Sequence, residues 1–328
     1  MELVIIISIA VSFLASWLTV RKWIRKAPEI GILGFDMNKP GLPKVAEMGG
    51  IGVVFGFGIG MLIYMGLMTF YLEEAAYVPI LAVLCAVLIS CIIGMMDDML
   101  GWKKGLRQWQ KPIFTFFAAL PIMVINAGQS TMNLPFIGSV DFGILYPLMI
   151  VPIGIVGASN AYNMVAGYNG LEAGMGIIIL SSMGYFAYIS GSQNAMVLAL
   201  CMVSALIAFL YFNWHPARIF PGDTMTYSLG ALAACIAILG DMERIAIILF
   251  LPYVVDFFLQ SKGGFKKEAF AKVNDDGSLD KPYPEIFHLT HLAIALISRW
   301  KDKVYERDVV LLICGSEMAI AGLCIYAF

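Results

Sequence analysis

The chain has 328 residues, 60% of them hydrophobic and 13% charged, with a net charge of -2 and a mean hydropathy of +0.83. That much apolar surface excludes a soluble domain and reads as a polytopic membrane protein. The net charge names no partner and nothing suggests a nucleic acid, but the placement of the charges is informative.

Ten apolar runs are long enough to approach the ~30 Å of a bilayer core. They cover roughly 3–20, 49–71, 77–96, 111–126, 143–160, 174–190, 195–213, 226–240, 243–260 and 308–327. The expected fold is therefore an all-α bundle of about ten transmembrane helices, a single integral membrane domain over 1–328. The first run lacks a small-residue cleavage site and is followed by Arg21, Lys22, Arg25 and Lys26, so it reads as a retained span. Of the 21 Lys and Arg, all except Arg244 lie after the odd-numbered runs or at their edges. The positive-inside rule then puts those connections in the cytoplasm and the N-terminus outside. The six cysteines, Cys85, Cys91, Cys201, Cys235, Cys314 and Cys324, fall inside apolar runs and read as buried thiols.

The first cytoplasmic connection carries Asp36, Asn38, Lys39, Lys44 and Glu47 and ends in Gly49-Gly50, which lets backbone approach a neighbour closely. At the end of the third run stand Asp97 and Asp98, followed by a basic loop to Lys111. Adjacent carboxylates at the edge of a low-dielectric slab repel one another and need a cation, for which a hard divalent ion is suited. On the opposite side, residues 127–143 alternate between Gly128 and Gly143 and predict a small hairpin.

Asn160 and Asn163 share a helical face at the cytoplasmic end of the fifth run, and Gly167, Asn169 and Gly170 predict a tight turn with Glu172 just beyond. Such amides and carboxylates supply oxygen ligands for a metal and hydrogen-bonding pairs for a base or sugar; interhelical bonding is the plainer reading. The segment 213–224 offers His215, Arg218, Phe220 and Asp223. A ring there can stack on a nucleobase, an arginine can fork onto phosphate and an aspartate can complete a metal site. The long connection 261–307 carries the cluster Lys262, Lys266, Lys267 and Lys272. Within it, Glu285–Trp300 predicts an amphipathic helix lying in the interface.

The stretches GMMDDML, NAYNMVAGYNGLEAG, NWHPARIFPGDT and, more weakly, VYERDVVLL run in order over most of the chain. Together they resemble the polyprenyl-phosphate N-acetylhexosamine-1-phosphate transferases, specifically the dolichyl-phosphate GlcNAc-1-phosphate transferase branch of eukaryotes and archaea. The resemblance implies a ten-span enzyme that moves a sugar phosphate from UDP-GlcNAc to a polyprenyl or dolichyl phosphate, releases UMP and uses Mg²⁺ or Mn²⁺. Carried over by position, it implies Asp97 and Asp98 as the catalytic pair and Asn163 and Asp223 as metal ligands. It further implies Asn169 on uracil, Phe220 stacked on the base and Glu47 as the acid of the first loop, with Arg218 beside them in the same motif. The basic position after the aspartate pair falls to Lys104, Arg107 or Lys111, and Lys266 and Lys267 stand where the branch has arginines for the pyrophosphate. His288 and His291 depart from the spacing of the bacterial peptidoglycan branch, which counts against a muramyl-peptide substrate.

Another UDP-N-acetylhexosamine is the alternative within this chemistry. A transporter or flippase is the alternative outside it, but that class predicts charges near the bilayer midplane and repeat-related broken helices, not acids and amides at helix ends on one face. The expected location is a multi-pass cell membrane of archaeal type, or the endoplasmic reticulum in a eukaryote, with the site facing the cytoplasm. A homodimer stands beside a monomer as an option.

Overall fold

The structure is a computed structural model and describes residues 1–73, 77–101, 105–134 and 138–328. Every one of the ten apolar runs is helical. In chain order the helices begin with α1 (Glu2–Glu29), α2 (Gly50–Tyr71) and α3 (Val78–Leu100). A broken segment follows, made of α4 (Gln110–Phe116), a 3₁₀ turn and α5 (Leu120–Val124). Next come α6 (Val151–Met164), preceded by a π-helical turn at Tyr146–Ile150, then α7 (Leu171–Ile189), α8 (Gln193–Asn213) and α9 (Asp223–Leu239). The series ends with α10 (Glu243–Leu249), α11 (Leu251–Lys262), α12 (Leu289–Ile297) and α13 (Glu306–Ala327).

Among the described residues, six helices, α1, α2, α3, α7, α8 and α13, are long and apolar enough to cross a membrane; the pair α10–α11, bent by 54°, makes a seventh if counted as one span. Length and apolarity thus support six or seven of the ten expected spans. The apolar helix Asp223–Leu239 has 17 residues, and at 1.5 Å per residue it reaches only about 26 Å. The runs at 111–126 and 143–160 are interrupted, the first by its 3₁₀ turn and the second by its π turn.

The bundle is also not purely helical. Two-stranded antiparallel hairpins pair β1 (Leu33–Phe35) with β2 (Lys44–Ala46), β3 (Thr131–Leu134) with β4 (Gly138–Asp141), and β5 (Lys272–Val273) with β6 (Leu279–Asp280). The second hairpin is the one expected between Gly128 and Gly143. The other two were not anticipated, because strands of two or three residues leave no readable alternation.

α9 forms the centre and is buried from Thr224 to Ile238. Glycines let its neighbours reach its backbone. A Cβ on Gly94 of α3 would sit 2.3 Å from the Asp223 carbonyl oxygen, and one on Gly230 would sit 2.3 Å from the Ala158 oxygen of α6. α1 is clasped in the same manner: Cβ atoms on Gly56 and Gly60 of α2 would fall 2.6 and 2.7 Å from the Cβ atoms of Ser16 and Ser12. Those serine hydroxyls donate to Ala205 and Cys201 carbonyls of α8 at 3.0 and 2.7 Å. Small residues that admit close backbone approach are how apolar helices associate without a hydrophobic driving force between them.

In the last connection, the helix expected over Glu285–Trp300 is shorter, Leu289–Ile297. It buries Thr290, His291, Ala293 and Ile294, leaving Trp300 80% exposed.

Candidate active site

The C-terminal ends of α3, α6 and α8 and the N-terminal ends of α7, α9 and α13 meet at one end of the bundle. With the first and last connections they enclose a cavity of about 780 Å³ lined by Glu47, Asp98, Asn163, Asn169, Phe220 and Asp223 among others. That volume lies within the range of small-molecule sites. Six residues singled out from separate stretches of sequence are thus brought to one cavity.

Local structure explains their placement. Gly222, at φ +69°, turns the chain into α9, and its hypothetical Cβ would fall 2.5 Å from Asp98 Oδ2. Asp98 accepts the backbone N–H groups of Asp223 and Thr224 at 2.8 and 3.1 Å. Asp98 therefore caps α9 from another helix, meeting donors that the first turn leaves unpaired and the positive end of the helix dipole. Phe220 is held by its backbone, its N–H donating to Ala46 at 2.7 Å and its carbonyl accepting from Gly49 at 2.9 Å. The Gly49-Gly50 pair serves the close approach its composition predicts, with a Cβ on Gly50 falling 2.3 Å from the Met225 nitrogen.

Asp97 points elsewhere. Its Oδ1 accepts the Leu106 N–H at 2.6 Å, and its Oδ2 lies 2.9 Å from Lys111 Nζ and 3.3 Å from the Tyr227 hydroxyl, which donates to it. Lys111 also reaches Asp223 Oδ2 at 3.3 Å. The adjacent acids thus find two different counterparts, a lysine and a helix N-terminus. Of the three basic candidates, Lys111 is the one set between the aspartates. Arg107 is exposed on the loop, its N–H donating to Gln110, and Lys104 lies outside the described residues.

The other basic candidates stand off the cavity wall. Arg218 stacks on Tyr211 and Phe212 at 5.2 and 4.8 Å. Lys266 is exposed, and Lys267 lies over the Tyr283 ring at 4.7 Å. Asn160 takes the plainer reading and bonds Thr115 and the Val156 carbonyl at 2.9 and 2.8 Å. Burial pushes the Glu47 carboxyl above the ordinary glutamate range.

Two buried acids brace the turn at Asn169; the sequence pointed to Glu172, and Glu306 was missed. Glu172, 3% exposed, accepts the Gly167 N–H at 2.7 Å and shapes the turn. Glu306, 2% exposed, binds Lys39 and takes the Asn169 N–H at 2.8 Å. The available signal for Glu306 was an acid in the first turn of an apolar helix.

The chemistry of the donors bears on a metal. Among the described residues no three His, Cys, Asp or Glu side chains form a group able to hold an ion, so an all-protein cage is absent there. The Asp223 carboxylate and the Asn163 amide line the same cavity, with Asp98 and Glu47 also in its wall. That set fits Mg²⁺ or Mn²⁺ held by few protein oxygens together with water and substrate phosphates.

The profile of glycosyl transferase family 4 matches residues 80–241. The chain is 36% identical over 328 residues to a Saccharolobus solfataricus protein that bears the provisional name UDP-N-acetylglucosamine–dolichyl-phosphate N-acetylglucosaminephosphotransferase, covering 98% of this chain and 96% of the relative. It is 27% identical over 268 residues to the Dictyostelium discoideum protein of that same name, covering 70% of this chain and 64% of the relative. A phospho-N-acetylmuramoyl-pentapeptide-transferase of Streptococcus thermophilus is 33% identical over 187 residues, 55% of each chain. With the near-complete archaeal match, and with three of the four family-like stretches lining one cavity, the chain belongs to the polyprenyl-phosphate N-acetylhexosamine-1-phosphate transferases, in the dolichyl-phosphate GlcNAc-1-phosphate transferase branch.

Proposed function

We propose that this protein transfers GlcNAc-1-phosphate from UDP-GlcNAc to a polyprenyl phosphate of the dolichyl type, giving polyprenyl-diphosphate-GlcNAc and UMP. The observation that carries the reading is the convergence of Asp98, Asn163, Asn169, Phe220 and Asp223 on one cavity, with Lys111 fixed behind it between Asp97 and Asp223.

In this reading the uracil stacks on Phe220 beside Asn169, and the pyrophosphate reaches toward Asp223. Asn163 and Asp223 would hold a divalent cation, which when bound would neutralise pyrophosphate oxygens. Lys111 balances the charge of Asp97 and Asp223 and supplies positive charge as phosphate oxygens become more negative. Asp98, fixed on the N-terminus of α9, holds Asp223 in register and orients the incoming lipid phosphate. An oxygen of that phosphate attacks the β-phosphorus, and the bond from that phosphorus to the bridging oxygen breaks to release UMP. In-line positioning and charge compensation are the main demands of such a transfer.

Along the sequence, every Lys and Arg except Arg244 lies after an odd-numbered apolar run or at its edge. That supports a cytoplasmic site in a multi-pass membrane, and supports reading the shorter helices as further passes. Purified protein given radiolabelled UDP-GlcNAc, a polyprenyl phosphate and Mg²⁺ should yield UMP and a chloroform-extractable labelled sugar. Label transferred from UDP-GalNAc but not from UDP-GlcNAc would replace the sugar assignment, and no extractable label from either would refute the reading.

A further inference from the structure

Asn169 is 4% exposed, and both its backbone and its side chain are tied to carboxylates. Its N–H donates to Glu306 Oε1 at 2.8 Å, and its Nδ2 donates to Asp36 Oδ2 at 3.0 Å. Asp36 is itself fixed: its Oδ1 accepts the Asn38 N–H at 3.3 Å, and Lys39 Nζ stands 3.4 Å from its Oδ2. Lys39 also pairs with Glu306, whose Oε2 lies 3.1 Å from His215 Nδ1. The first connection, the turn after α6, the segment after α8 and the start of α13 are thereby locked together around one amide.

An ionised carboxylate can only accept hydrogen bonds, so it decides which way the neighbouring amide faces. The NH₂ of Asn169 points at Asp36, which leaves its carbonyl oxygen on the other side of the amide, and Asn169 lines the cavity together with Phe220. No protein donor meets that oxygen among the described residues. A base stacked on Phe220 must therefore bring an N–H to it. Uracil has its donor at N3, whereas cytosine has a lone pair there and carries its donor on the exocyclic N4 instead, so in the same stacked position it sets acceptor against acceptor.

We infer that Asp36, by fixing the flip of Asn169, makes this cavity select uracil through its N3–H and reject cytosine. Asp36 is a positioning residue for specificity, and Asn169 is the group it aims. The inference rests on the reading of the cavity as the UDP-GlcNAc site, and it adds the residue that decides the choice of base. Leaving a buried acceptor opposite a lone pair costs recognition heavily, since a site built for a hydrogen bond discriminates strongly against a ligand lacking it.

The test uses the full chain in lipid-supplemented micelles with UMP, CMP and N3-methyl-UMP as inhibitors of transfer from UDP-GlcNAc. UMP should inhibit at least about 100-fold more strongly than CMP or N3-methyl-UMP. Inhibition by N3-methyl-UMP equal to that by UMP would overturn the inference without any variant being made. In Asp36→Asn the amide of Asn169 can flip, so the UMP-to-CMP ratio should fall by about tenfold or more, with KM affected more than kcat. Asp36→Glu keeps an acceptor-only partner and should restore most of the ratio. A native ratio in Asp36→Asn would refute the role of Asp36. The underlying site is tested separately by Asn169→Ala: unchanged KM and unchanged UMP inhibition there would show that the base lies elsewhere.

Discussion

Lys111 stands between two carboxylates from different helices, its Nζ 2.9 Å from Asp97 Oδ2 and 3.3 Å from Asp223 Oδ2. A single cation there holds the end of α3 against the start of α9, which are otherwise lined with like charge. Removing one partner of such a partly buried set leaves the others uncompensated, at a cost of about 3 kcal/mol. Lys111→Met should lower the unfolding temperature in micelles and reduce kcat by at least about 100-fold. Full turnover in that variant would remove Lys111 from the transfer step.

The same junction depends on the absence of a side chain at Gly94, where a Cβ would lie 2.3 Å from the Asp223 carbonyl oxygen. Backbone cannot yield as a flexible side chain can, so Gly94→Ala must push α3 from α9. Overpacking of this kind costs about 1–3 kcal/mol. The expected outcome is a folded but less stable protein with strongly reduced transfer, whereas Gly58→Ala, with nothing within 4 Å of its Cβ, should behave as the native chain. Equal activity in the two variants would count against the junction as the determinant of geometry.

The metal assignment predicts a specific response to chelation. EDTA should abolish transfer and added Mg²⁺ or Mn²⁺ should restore it. Asp223→Asn and Asn163→Ala should each raise the metal concentration for half-maximal rate by about tenfold or more. Restoration at native metal concentrations in both variants would place the ligands elsewhere.

His291 provides a pH-dependent element outside the bundle. Burial first, and neighbouring His288 second, push its pKa down to about 4. The folded state therefore excludes a proton that the unfolded chain accepts below about 6.5. Its neutral form leaves stability intact above that value, and stability is lost as pH falls from about 6.5 toward 4. Thermal unfolding of the native protein at pH 8, 6 and 5 should show a steeper acid loss than His291→Phe. Parallel curves would show that the ring takes no part.

Much of the site was legible because chemistry-bearing residues interrupt apolar runs at their ends. Asp98, Asn163, Asn169, Phe220 and Asp223 were each visible in sequence, and each lines the cavity. Lys266 and Lys267 were equally visible, yet they stand off its wall, because a lysine cluster has the same appearance whether it faces a ligand, solvent or an aromatic ring such as Tyr283. Residues 285–300 likewise showed amphipathic spacing, but spacing could not say that His291 would be on the buried side.

The amino-acid order by itself determined the apolar runs, the asymmetry of basic residues and the gathering of acids and amides at run ends, because hydrophobic transfer and charge solvation act on each segment before any partner is present. Only the tertiary structure decided that Asp98 caps a helix 125 residues away, that Lys111 fills the space between Asp97 and Asp223, and that Asp36 aims the amide of Asn169. Those relationships are contacts between distant segments. Their energies depend on distance and orientation, which exist only once α3, α6, α9 and α13 have packed.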